Sequence, residues 1–296
     1  MNSSDISLVS TETSSQDEAL RDGCALPGTL QTASRLPKVD ADAMARDDLL
    51  KLEPLPLAPD LPLAPDLPLA PEVSAAEAYR FTNEACEVAA RFEHIYQTAS
   101  GDPTCVPWYH HRGANQALID WLNSEAHCLV RPGARSVVVG CGLGDDVIEL
   151  ADRGYDAMGF DISPTCVEWA RRRFPVEAER FVHADILAIP SRMRARFDLV
   201  VEAFTIQAVS PSLRLKTIEG VASLVKPHGV ILILARSRDD AMPLSECECA
   251  PYPVCRTELV NSMEELGFAP AHGIVSCLDD DNPPRQCVRA AFRRLG

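Results

Sequence analysis

Between residues 136 and 266 the chain alternates between two patterns, and that alternation is its strongest constraint on a fold. Short apolar runs rich in β-branched residues, such as Val137-Val138-Val139, Leu199-Val200-Val201 and Ile231-Leu232-Ile233-Leu234, recur between longer stretches of helical periodicity. Strands are expected at 136–139, 157–160, 180–183, 198–202 and 230–235, and helices at about 145–153, 164–174, 212–225 and 256–266. Continuous rather than alternating apolar strands mean burial on both faces, which βαβ units around a parallel sheet provide. Crossovers in such units are right-handed. Two further strands, at 274–278 and 287–292, flank Asp279-Asp280-Asp281-Asn282-Pro283-Pro284 and predict an antiparallel pair closing the sheet. Upstream, Phe81, Val88, Phe92, Ile95 and Tyr96 mark one amphipathic helix that Gly101-Asp102-Pro103 ends, and a second helix runs from Asn115 through Trp121 and Leu122.

The first strand leads into Gly140-Cys141-Gly142-Leu143-Gly144-Asp145-Asp146. Glycines here let the first βα turn approach a ligand closely. The spacing is G-x-G-x-G, distinct from the dinucleotide G-x-G-x-x-G, and no Lys-Ser/Thr follows to form a phosphate-binding loop. Such a turn fits a nucleoside-bearing cofactor that has no phosphate, S-adenosylmethionine being one. Asp145 and Asp146 fall at a helix N-terminus, where the dipole favours carboxylates; contact with a cofactor's ammonium is the other reading. Asp161 ends the second strand, 21 residues after Gly140, where an acid accepts hydrogen bonds from ribose hydroxyls. Ser163-Pro164 already supplies an N-cap and first-turn pair for the next helix, which leaves Asp161 for another role. Asp185 ends the third strand, placed for an exocyclic adenine amine, and Ile162 and Ile186 flank a ring position between them. Glu202 ends the fourth. Three successive strands thus end in an acid at the edge where open α/β sheets bind ligands.

In the order glycine turn, Asp161, Ala184-Asp185, Phe197-Asp198 and Lys226-Pro227-His228-Gly229, the chain resembles class I S-adenosylmethionine-dependent methyltransferases. The Gly140-Cys141-Gly142-Leu143-Gly144-Asp145 turn, preceded by Val rather than an acid, and the segment Arg91-Phe92, Tyr96 and Val106-Pro107-Trp108 make it most similar to the thiopurine/thiol/halide methyltransferase-like group. The resemblance covers about residues 81–295. It implies an α/β fold with a Rossmann-like, mostly parallel seven-stranded sheet flanked by helices and an antiparallel C-terminal strand pair. It also implies S-adenosylmethionine as cofactor and a methyl acceptor that is a small molecule, most readily a thiol or other soft nucleophile. O- or N-methylation of a natural product, or a non-catalytic cofactor-binding scaffold, are the alternatives. Many relatives carry an acid where this chain has Val138, a departure that bears on the ammonium contact. The implied cofactor-binding set is Trp108 as a lid over the cofactor, Gly140, Gly142, Gly144, Asp161, Ile162, Ala184, Asp185, Ile186 and Glu202.

Acceptor contacts are expected from Tyr109, Thr205, Gln207 and Arg236. No catalytic residue is assigned: displacement from a sulfonium needs little beyond positioning in a dry pocket, and neither a G-x-S-x-G elbow nor an H-E-x-x-H motif occurs. His110 and His111 read as surface residues or as a base. Cys247, Cys249 and Cys255 lack zinc-ribbon spacing, so no metal is expected, and a Cys/Glu-rich loop over the substrate entrance is the alternative.

Residues 1–75 carry 5 basic and 13 acidic side chains and three tandem hexamers of the form Leu-Pro-Leu-Ala-Pro-Asp/Glu at 55–72. Proline at this density blocks helix and central-strand pairing and favours an extended spacer or a docking segment. The expected organisation is therefore a disordered acidic segment, 1–75, followed by a methyltransferase domain with an N-terminal helical lid, 76–296. A net charge of −15 argues against nucleic-acid partners. With no apolar run near 18 residues and no signal-like N-terminus, no membrane partner and a cytoplasmic location are expected. The 11 scattered cysteines read as reduced thiols.

Overall fold

In a computed structural model the described residues are 75–109, 113–242, 250–279 and 283–296. The acidic segment, the Leu-Pro repeats, His110, His111, Cys247 and Cys249 lie outside them. In chain order the elements are α1 (Ala75–Ala99), α2 (Gln116–Ser124), α3 (Ala126–Leu129), β1 (Arg135–Val139), α4 (Asp145–Asp152), β2 (Asp156–Asp161), α5 (Pro164–Arg173), β3 (Phe181–His183), β4 (Phe197–Ala203), α6 (Pro211–Leu224), β5 (Val225–Arg238), β6 (Val254–Cys255), α7 (Arg256–Glu265), β7 (Phe268–Pro270), β8 (Val275–Leu278) and β9 (Gln286–Arg294).

The main sheet runs β3-β2-β1-β4-β5-β9-β7, with β6 added to β5 and β8 to β9. The first five strands are parallel, and β9 is antiparallel to β5, β7 and β8. This is the expected mostly parallel α/β sheet with an antiparallel C-terminal part. One difference concerns β9, which is interior: it is bonded to β5 on one side and to both β7 and β8 on the other. The short β7 carries too little apolar alternation to be read from the sequence.

Alternate residues of each strand feed two cores. Val137, Val139, Val200, Ile231 and Ile233 pack on one face with Ile218 and Val221 of α6 and Leu259 and Met263 of α7. Val138, Leu199, Val201, Leu232 and Leu234 pack on the other with Leu118 and Trp121 of α2, Val147 and Leu150 of α4 and Val167 of α5. Burial on both faces is what the uninterrupted apolar runs require. No helix among the described residues is long and apolar enough to cross a membrane.

The strand order reverses between β1 and β4. Loops leaving neighbouring parallel strands to opposite sides open a crevice at such a point, and the turns after β1 and β4 meet there.

Candidate active site

A cavity of 620 Å³ opens at that crevice, within the range that holds a cofactor and a small ligand. Its floor is the turn after β1. Gly140 and Gly142 adopt left-handed backbone, φ +59° and +54°, which a side chain disfavours. A Cβ on Gly140 would collide with the Thr205 hydroxyl, whereas one on Gly142 would point toward the Tyr96 hydroxyl across 3.6 Å. The first glycine therefore lets the two loops touch, and the second keeps the turn bare beneath Tyr96.

Asp161, 7% exposed, stands at the end of β2 and lines the cavity. Its Oδ2 accepts from the Gly142 backbone N–H at 3.1 Å and its Oδ1 from that of Ser163 at 3.0 Å. Burial pushes its carboxyl up, with the Ser163, Gly142 and Ile162 amides and the Cys166 thiol opposing. Ser163 caps α5 through its own hydroxyl, which accepts from Cys166, so capping is supplied independently of Asp161.

The acids that follow the glycine turn are committed to the protein. Arg173 grips Asp145 with both terminal nitrogens, at 2.6 and 2.9 Å, and also donates to the Leu143 carbonyl. Asp146 accepts from the Asn115 backbone N–H at 2.7 Å, which ties the start of α2 to the turn. Burial raises the Asp146 carboxyl to about 6, against that hydrogen bond and with Asp145 and Glu149 adding to the rise.

Ile162, Ala184 and Ile186 line the cavity, and Asp185 and Glu202 do not. Asp185 turns onto its own loop and accepts from Leu187 N at 2.8 Å, capping a short turn. Glu202 is fully buried, and its Oε1 accepts from Thr205 N at 2.6 Å and Ile206 N at 2.9 Å. Its Oε2 has no hydrogen-bond partner among the described residues. Burial lifts this carboxyl to about 7, the two amides opposing. Glu202 therefore shapes the loop after β4 from beneath. Both departures have one physical origin: a carboxylate at a strand end is as readily drawn to the orphan amides of the following turn as to a ligand.

Thr205 and Gln207 line the cavity. The Thr205 hydroxyl donates to the Val139 carbonyl at 3.2 Å, and the Gln207 side-chain carbonyl accepts from the Arg236 backbone N–H at 2.5 Å. Both brace β4 against its neighbours. Between them and the strand, Phe204 lines the cavity with φ +62°, an uncommon conformation for a bulky residue; the sequence gives no sign of it.

The roof is α1 and the segment after it. Trp108 packs edge-on against Phe92 and Tyr96, with ring centroids 5.6 and 5.8 Å away, and its indole N–H donates to the Tyr96 hydroxyl at 3.2 Å. It stays 40% exposed at the cavity rim. Tyr109 lines the rim beneath the Arg173 guanidinium, 5.8 Å from its ring centroid. The helix is tied to both loops. Glu93 accepts from Ser163 Oγ at 2.6 Å and from Thr165, and Arg91 donates to the Ala208 carbonyl at 2.5 Å.

Cys277, Cys287, Asp279 and Arg289 form the far wall, with Arg236, whose Nε lies 3.2 Å from Asp279. Of these only Arg236 was legible in advance. Cys255 does not join them: it is buried, and its sulfur caps α7 by accepting from Glu258 N.

The glycine-turn end fits an adenosine-bearing cation. Bare glycine backbone and the Asp161 carboxylate line this end of the cavity.

Residues 137–229 match a family model described as a methyltransferase domain. "Probable thiol methyltransferase 2" from Arabidopsis thaliana is 29% identical over 140 residues, 46% of this chain and 59% of its own length. Thiocyanate methyltransferase 1 from Brassica oleracea is 29% identical over 168 residues, 56% of this chain and 69% of its own. The chain thus spans well under the full length of these relatives. Among solved structures, magnesium protoporphyrin IX methyltransferase from Synechocystis PCC 6803, with bound S-adenosylmethionine, superposes with a TM-score of 0.52 at 15% identity, covering 70% of this chain and 97% of its own. A Burkholderia thailandensis 1,6-didemethyltoxoflavin N1-methyltransferase gives 0.52 at 17% identity, covering 77% and 94%. The chain thus carries a methyltransferase domain at residues 137–229, in a fold similar to that of S-adenosylmethionine-dependent methyltransferases and with sequence similarity to thiol and thiocyanate methyltransferases.

Proposed function

We propose that the protein methylates a small thiol or other soft nucleophile with S-adenosylmethionine. The observation that carries the reading is one continuous cavity joining the glycine turn and Asp161 to a wall of Cys277, Cys287 and Arg289, roofed by Trp108. The names of the thiol and thiocyanate methyltransferases that it resembles support the acceptor class.

When bound, the cofactor supplies a sulfonium-activated methyl group and a neutral thioether leaving group. In this reading Asp161 would accept from the ribose hydroxyls with the lone pairs that Gly142 and Ser163 leave open, and Ile162, Ile186 and the Gly140–Gly144 turn would hold the adenosine at the same end of the cavity. The face of Trp108 attracts positive charge at the rim. Phe204, Leu234 and Val209 line the middle of the cavity with apolar surface, which strips water from an incoming nucleophile. Buried Tyr96 is held protonated, because burial and the nearby Asp161 charge push its hydroxyl well up.

The test is release of S-adenosylhomocysteine with a panel of thiols, halides and chalcogenides, alongside calorimetric titration of S-adenosylmethionine. Turnover on at least one soft nucleophile is expected. Cofactor binding without turnover across the panel would overturn the acceptor, and no binding at all would overturn the cofactor assignment.

A further inference from the structure

Cys277 on β8 and Cys287 on β9 are directly opposite one another in the antiparallel register. Cys287 in turn is opposite Arg236 of β5, so Arg236, Cys287 and Cys277 form one row across three strands. Directly opposed residues on antiparallel strands project from the same face, with Cβ atoms about 4.5–5.5 Å apart. All three residues line the acceptor end of the cavity. Cys287 is buried, Cys277 is half-buried, and neither is in a disulfide. Two residues further along β9, Arg289 lines the same wall. Its Nη2 is bonded to Glu125 at 2.8 Å, while its Nε is buried with no hydrogen-bond partner among the described residues.

Methyl transfer to a small thiol needs neither cysteine as a reacting group, and the row places two sulfurs and an arginine on one wall of the cavity. We propose that Cys277 and Cys287 form a two-thiol clamp for a trivalent metalloid oxyacid of the arsenite class, held at the acceptor end of the cavity with Arg289 as an additional donor. The clamp stands on the two thiols and not on the methyltransferase reading.

The donor set selects this ligand. Thiolates prefer soft centres, but a structural zinc ion takes four nitrogen or sulfur ligands, and no metal-holding group of three or more His, Cys, Asp or Glu occurs among the described residues. A trivalent metalloid needs fewer: two sulfurs, one substituent it brings itself and its own lone pair complete it. Binding is an exchange without redox change. Two metalloid–oxygen bonds break, two metalloid–sulfur bonds form, and each thiol proton leaves with a hydroxide as water. Burial pushes the Cys277 thiol up, Arg289 pulls it back, and Asp279 and Asp120 add to the rise. The thiol therefore arrives protonated, and the departing hydroxide takes that proton. The unpartnered Arg289 Nε can donate to the hydroxyl that remains.

The test uses the full reduced chain without cofactor. Arsenite is added, free thiols are alkylated with iodoacetamide, and the sites are mapped. Protection of Cys277 and Cys287 together, with Cys86, Cys105 and Cys128 still alkylated, is expected. Intact mass should show one phenylarsine oxide adduct formed with loss of water, removed by a dithiol but not by a monothiol, and absent in Cys277→Ser and in Cys287→Ser. An adduct that persists in both variants, or unprotected Cys277 and Cys287 in the wild-type chain, would overturn the clamp. The wild-type mapping decides even if a serine variant fails to fold. Because no S-adenosylmethionine is present, a negative result leaves the transferase reading standing.

Discussion

Asp161 is asked to do two things at once. It positions the glycine turn through Gly142 N–H and, in the proposed function, accepts from a ribose. Charge-assisted hydrogen bonds are worth roughly 1.5–3 kcal/mol each, so Asp161→Ala should weaken S-adenosylmethionine binding on the order of 100-fold by calorimetry. Near-wild-type affinity would mean that the ribose is held elsewhere. Glu202 has a different signature. Its carboxyl ordinarily titrates at 4.5 and is lifted to about 7 by burial. Between these values the folded state keeps a proton that the unfolded chain has lost, so its contribution is fully present below pH 4.5 and fades as pH rises through 7. The span corresponds to something on the order of 3 kcal/mol. Urea unfolding should therefore show stability falling from acidic toward neutral pH, and Glu202→Gln, which keeps the acceptor for Thr205 and Ile206, should flatten that slope. An unchanged slope would place the titration in another group.

Among the elements, α1 decides access. Glu93 ties it to the start of α5 and Arg91 to the loop after β4, Tyr96 and Ala99 pack with Leu143 of the glycine turn and with Cys166 and Trp169 of α5, and Trp108 closes the rim. Trp108→Ala removes two edge-on ring contacts, each worth about 0.5–1.5 kcal/mol. Cofactor dissociation should quicken by roughly tenfold in stopped-flow measurements, with little change in melting temperature because the ring is 40% exposed. A large loss of stability with unaltered dissociation would make it a packing residue. The roof also shows how far a sequence reaches. Strands β1, β4 and β5 were legible because burial on both faces leaves an unbroken apolar run, and α1 because one face is apolar at helical spacing. Asp185 and Glu202 fall at the expected strand ends, but strand position does not say which way a terminal carboxylate turns, and here both accept from amides of the following turn. The Cys277–Cys287 pairing was hidden because it depends on register, and that register is set by how the turn between the two strands closes, with Asp279 and Arg285 bonded across it.

For the whole molecule, a ligand that binds only the folded state stabilises it by mass action. At about 100 times its dissociation constant, S-adenosylmethionine should add about 2.7 kcal/mol, a rise of several degrees in melting temperature for a fold this size. Asp161→Ala should cut the rise to a small remnant at the same concentration; an equal rise in the variant would show that the ligand acts outside this cavity. The interior place of β9 has a consequence of another kind, in the order of manufacture. The five parallel strands and their helices precede it and can begin to assemble while synthesis continues. β7 and β8, by contrast, have their partner only in β9, and until β9 is made the long strand β5 leaves one side open. An unpaired strand edge is a template for another chain. A nascent chain, or one cut before Gln286, therefore displays the apolar edge of Ile231–Leu234 to its neighbours, and association of incomplete chains rather than loss of the cavity should be the first symptom of any lesion in its last dozen residues.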